Sequence, residues 1–193
     1  MKLIRFSLTI IAVLVTGCDI QTGVAPTETV IAKSSDRDFG FTGIWLLVPK
    51  TEPPYGVDSL QLEIHRDANY DVTISNGTGK NEANLKANFR THEISPEHPH
   101  AIVEIEIKNN GAIPYRRLAI AAVRDDNLYL WMIDGRKLSE PLFKDGASAV
   151  IEHFAFSTTV RCEPQSLLDS IARHSDVVIG DVQVFRRRPD LGK

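Results

Sequence analysis

Apolar and polar residues alternate along much of this chain, and that two-residue period constrains its fold more than any other feature. Leu60, Leu62 and Ile64 alternate with Gln61, Glu63 and His65. Tyr70, Val72 and Ile74 alternate with Asp71, Thr73 and Ser75, and Val103, Ile105 and Ile107 with Glu104, Glu106 and Lys108. Successive side chains on a strand point to opposite faces, so each run predicts a strand with one buried and one wet face. Residues 84–90 alternate in the same way. Residues 118–123, 128–133 and 149–156 are apolar at both parities, which predicts strands near the middle of a sheet or beneath a cover.

Turn chemistry separates these runs at short intervals: Asp67-Ala68-Asn69, Asn76-Gly77, Asn110-Gly111, Asp125-Asp126, Asp134-Gly135 and Asp145-Gly146. The spacing suits consecutive hairpins rather than crossover helices. Nine strands are expected, near 42–48, 59–66, 69–75, 82–93, 101–108, 115–124, 127–134, 148–158 and 181–187. One helix is expected at 164–174, where Pro164 suits the first helical position and Leu167, Leu168, Ile171 and Ala172 form a stripe. The predicted fold class is all-β, a single antiparallel meander of eight to nine strands with that helix packed on it. The same signals serve a small barrel and a β-sandwich.

The amino terminus reads as an address. Lys2 and Arg5 precede an apolar run over residues 6–15, too short to span a bilayer, and small residues lead from it to Cys18. The stretch Leu14-Val15-Thr16-Gly17-Cys18 resembles the lipobox of bacterial lipoproteins. That resemblance implies a signal peptide over 1–17, cut before a lipidated Cys18, and a protein held at the bacterial cell envelope facing the periplasm. Asp19 resembles the inner-membrane retention residue of enteric-type lipoproteins; under other sorting rules the outer membrane is the destination.

Residues 18–38 read as a polar tether, leaving 39–193 as the β domain. The 22 basic and 25 acidic residues give a net charge of -3, and loss of Lys2 and Arg5 with the signal leaves 20 against 25, or -5. Such a balance offers no electrostatic reason for a nucleic-acid partner. The two cysteines exclude a disulfide-stapled scaffold or a four-cysteine zinc site.

Gly43-Ile44-Trp45 at the first strand, a Pro-containing loop over 49–58, a run of hairpins, and a helix followed by a short strand resemble the lipocalin and wider calycin layout. In that family the Gly-X-Trp tryptophan closes the barrel floor against an arginine from the end of the last barrel strand. The resemblance implies an apolar ligand in the barrel mouth, with Trp45 and either Arg161 or Arg136 as site residues. Asp125-Asp126 lies near the family's Thr-Asp-Tyr turn, with Arg124 and Asn127 departing from it.

Other chemistry is sparse. His92, His98 and His100, with Glu93 and Glu97, are weak metal candidates, since imidazoles two apart on an extended chain can face one way, but Pro96 and Pro99 mark an exposed loop. Cys162 is a nucleophile candidate with His153 or His174, read more simply as a small buried hydrophobe. Glu104 and Glu106 share the wet face of one strand. Arg186, Arg187 and Arg188 offer contacts to anionic headgroups or simply a solvated tail. Neither a serine-hydrolase elbow nor a phosphate-binding loop is present.

The expected function is a membrane-anchored, non-enzymatic envelope protein without a cofactor, binding a small hydrophobic ligand or an envelope partner. Its rivals are an accessory module of an envelope assembly and a hydrolase with an unrecognised site.

Overall fold

The computed structural model describes residues 37–49, 60–66, 70–76, 85–108, 115–153 and 158–189. The signal, Cys18 and nearly all of the tether lie outside the described residues. Eight strands close into an antiparallel barrel, deciding between the two all-β alternatives. They are β1 (Gly43–Leu47), β2 (Leu60–Arg66), β3 (Tyr70–Asn76), β4 (Leu85–Glu93), β5 (Ala101–Lys108), β6 (Tyr115–Arg124), β7 (Asn127–Ile133) and β10 (Ile179–Arg187). The first seven pair in chain order, and β10 fills the gap between β7 and β1.

The alternation sets the register. Leu62 faces Ile74 and Ile64 faces Val72 across β2 and β3, which puts every apolar residue of both strands on the inner face. Asp125 and Asp126 both take positive φ, 48° and 57°, so that Arg124 and Asn127 close a two-residue hairpin whose backbone matches the strand twist. Acidic side chains tolerate that left-handed conformation better than branched ones.

Between β7 and β10 the chain leaves the barrel. It forms helix α1 (Gly135–Lys144), the hairpin β8 (Ala149–His153) and β9 (Thr158–Cys162), and helix α2 (Pro164–Arg173). Helix α2 matches the expected one: Pro164 starts it, and the Glu163 carboxylate accepts from the N–H groups of Gln165 and Ser166 at 3.0 and 2.6 Å. Helix α1 was not expected. Asp134-Gly135 looks like a hairpin turn, yet here Asp134 is an N-cap accepting from the Arg136 N–H at 3.0 Å, and Leu138 and Leu142 form the buried stripe. Pro141, which reads as a helix breaker, sits on that packed face. Of the strand expected at 148–158, residues 149–153 form β8, which pairs with β9, a strand not expected, so that Ala149 lies opposite Cys162.

Two apolar clusters follow. One lines the barrel interior around Trp45, Phe41 and Phe185. The other lies outside it, where Leu138, Leu142, Val160, Leu167 and Ile171 pack with Ile102, Leu118 and Ile120 from the outer face of β5 and β6. Each such side chain contributes about 1.5–3 kcal/mol when fully buried. This cover explains why residues 118–123 are apolar at both parities. It also corrects the reading of Glu104 as a wet-face residue: Glu104 is 3% exposed on a strand face that is largely covered.

Candidate functional site

One end of the barrel is a built floor. Trp45 on β1 and Arg187 on β10 are direct cross-strand partners. The guanidinium lies over the indole, 4.3 Å from its ring centre. Its Nη1 and Nη2 donate to the carbonyls of Thr42 and Gly40 at 3.2 and 3.0 Å, and the indole Nε1 donates to the Phe41 carbonyl at 2.7 Å. The segment leading into β1 is thereby laced across the barrel end. Gly43 permits this approach: its φ is +140°, and a Cβ there would meet Arg187 Nη1 at 3.2 Å.

Outside this latch the Phe41 ring packs on Phe39 and Tyr70. The Tyr70 hydroxyl donates to Asp38 Oδ1 at 3.3 Å, and Arg66 pairs with the other Asp38 oxygen at 3.1 Å. The Gly40 N–H and the Arg66 charge hold the Asp38 carboxyl below its ordinary range. Burial pushes the Tyr70 hydroxyl up.

The arginine of the floor is therefore Arg187, not Arg161 or Arg136. Arg161 lies on β9 paired with Glu152 at 3.4 Å, and Arg136 sits exposed in the first turn of α1. The missed signal was positional. The strand after the helix is the last strand of the barrel, and Arg187 is its final residue, two positions from the inward Phe185.

The inner wall changes character on β4 to β6, where Ala87, Ala101, Ala119 and Ala121 all face inward. Arg117 continues that face: it pairs with the inward Ile105 and is 3% exposed. Its guanidinium, toward the end opposite the floor, joins the buried Thr91 of β4 as a polar element of the inner face. Its only signal in the sequence is the parity it shares with Ala119 and Ala121.

The histidines separate. His92 is buried on the outer face of β4, whereas His98 and His100 lie half-buried in the loop before β5. Their rings meet edge to face at 4.7 Å, and His100 then packs on Trp131 at 5.4 Å. Arg124 hydrogen-bonds to His100 Nε2. Burial, with the charges of Arg124 and His98, lowers the His100 pKa, so this ring is neutral at pH 7 and accepts that bond. Among the described residues no three His, Cys, Asp or Glu side chains are grouped to hold a metal ion. Cys162 is buried in the outer cluster, and burial, reinforced by Glu163, raises its thiol to about 11. It is a protonated, packed side chain at neutral pH.

Fold and floor together define a closed eight-strand antiparallel barrel latched by a tryptophan and an arginine, an architecture compatible with a lipocalin-like barrel. No family model, curated protein or solved structure matches the chain.

Proposed function

We propose that this protein is a lipid-anchored, non-enzymatic component of the bacterial cell envelope whose barrel binds a small apolar ligand with a polar end. The anchor rests on the lipobox ending at Cys18. The ligand reading rests on one observation: on the inner face of β4 to β6, Ala87, Ala101, Ala119 and Ala121 stand among the larger Phe89, Val103 and Ile105, and the buried Arg117 continues that face. An eight-strand barrel has an interior just wide enough to be filled by its side chains or, where some of them are small, to hold one small ligand. Small ones backing onto a guanidinium suit an apolar body lying along the wall with its polar end at Arg117. With the floor latched by Trp45 and Arg187, ligand entry is assigned to the other end.

Two measurements test it. Metabolic labelling with a fatty-acid analogue is expected to mark the wild-type protein and not Cys18→Ala; label on the variant overturns the anchor. Native mass spectrometry of the Cys18→Ala protein purified from cells is expected to find an adduct of lipid-like mass. Ala121→Phe, which fills the alanine wall, should abolish it. A clean unliganded mass in the parent overturns the ligand reading and turns attention to an accessory role.

A further inference from the structure

The outer wall of β6, β7 and β10 is built in rows running up from the floor rim. Arg124, Asn127 and Arg186 are neighbours in the lowest row. Ala122, Tyr129 and Val184 form the next, and Ile120, Trp131 and Val182 the third. Arg124 and Arg186 are exposed and Tyr129, Trp131, Val182 and Val184 half-buried, whereas Ala122 and Ile120 are buried, so the wall presents a partly open apolar field on β7 and β10 beneath a cationic edge. Tyr129 stacks on Trp131 at 5.4 Å, and His100 and His98 continue the column sideways.

We infer that this wall is a membrane-contact surface, resting on the headgroup layer of the bilayer that holds Cys18. The inference depends on the lipoprotein reading for its anchor and goes beyond it in assigning which face of the barrel meets lipid. Two features select lipid as the occupant. The first is chemistry: tryptophan and tyrosine favour the membrane-water interface, and arginine pairs with lipid phosphates. The second is where the chain enters. Arg37, the first described residue, donates from Nη1 to the carbonyls of Pro96 and His98 at 2.8 and 3.2 Å, which pins the end of the tether beside the His98 and His100 end of the column. Nineteen peptide units separate Cys18 from that point, at most about 65 Å of chain, so an anchored Cys18 holds the wall at high local concentration over the surface. The barrel then lies on its side, with its entrance free of the bilayer plane.

The test uses the full-length lipidated protein in vesicles of phosphatidylethanolamine and phosphatidylglycerol. Acyl-brominated lipid, with bromine near the headgroup, is compared with the same lipid unbrominated. Trp45 is fully buried within the barrel, and Trp131→Phe identifies the Trp131 emission. Brominated lipid is expected to roughly halve Trp131 emission. Arg124→Glu combined with Arg186→Glu is expected to restore it while the protein stays membrane-bound and its circular dichroism is unchanged. Anchored wild-type protein with equal Trp131 emission in both lipids overturns this inference alone. A photo-crosslinker at position 129 that then captures an envelope protein would assign the wall to a protein partner. Protein that does not fractionate with membranes overturns the lipoprotein reading and this inference with it.

Discussion

Arg187 lies over the ring of Trp45, its cross-strand partner, with the guanidinium carbon 4.3 Å from the ring centre and two N–H groups on the carbonyls of Gly40 and Thr42. One side chain thus joins the first barrel strand, the last one and the segment that crosses the floor. Trp45→Ala is expected to cost about 3–5 kcal/mol, as for other large buried aromatics. Arg187→Ala is expected to cost about 2 kcal/mol through the lost cation–π contact and two charge-assisted hydrogen bonds. Urea unfolding of both variants and the double variant is expected to give a coupling of roughly 1 kcal/mol or more, whereas Arg136→Ala and Arg161→Ala stay within about 0.5 kcal/mol of wild type.

Gly43 should be the least replaceable glycine among the described residues. Its φ of +140° disfavours any side chain, and a Cβ would press on Arg187 Nη1 at 3.2 Å. Gly43→Ala is expected to destabilise by about 1–3 kcal/mol. Gly146, with φ +74° and nothing within 4 Å of an added Cβ, should bear alanine at lower cost. Thermal unfolding of the two variants side by side checks the ranking.

Cys162 should be silent in the folded protein. With its thiol raised to about 11 by burial, almost none is thiolate at pH 7.5. In a Cys18→Ser background a thiol-reactive disulfide reagent is expected to titrate no group in native buffer and one in denaturant. Rapid labelling of the native protein would contradict the packing described.

Acid should loosen the outer layer through Asp145. Asp145 is the C-cap residue of α1, its backbone N–H donating to the Pro141 carbonyl, and its carboxylate lies 2.8 Å from Arg173 and 3.3 Å from His174 at the end of α2. The Ser170 hydroxyl, then His174 and Arg173, hold its pKa below the ordinary 3.8. A carboxyl lowered in the folded state contributes stability that is present above its unfolded value and lost as pH falls through its folded one. Urea unfolding from pH 7 to pH 2 is expected to fall less steeply at the acid end for Asp145→Asn than for wild type, and to start lower at pH 7.

The sheet was legible before the structure because its signal is local. Leu60 to Ile64 and Tyr70 to Ile74 state their own face by alternation, and Asp125-Asp126 its own turn. The same locality explains the errors at 134–147. Asp134-Gly135 has the chemistry of both a hairpin turn and a helix start, and the choice depends on whether Leu138 and Leu142 have an apolar surface to cover. That surface is the outer face of β5 and β6, supplied by residues distant in the chain.

The sequence by itself determined an all-β domain, the helix beginning at Pro164, and an amino terminus resembling a lipobox, since each is written in adjacent residues. Only the tertiary structure decided barrel against sandwich, because closure depends on β10 pairing both with β7, across the helices and the β8–β9 hairpin, and with β1 at the far end of the domain. It likewise chose Arg187 as the partner of Trp45, turned Arg117 inward and covered Glu104. In each case the side chain's environment is set by the strand or layer laid against it, and no local pattern encodes that neighbour.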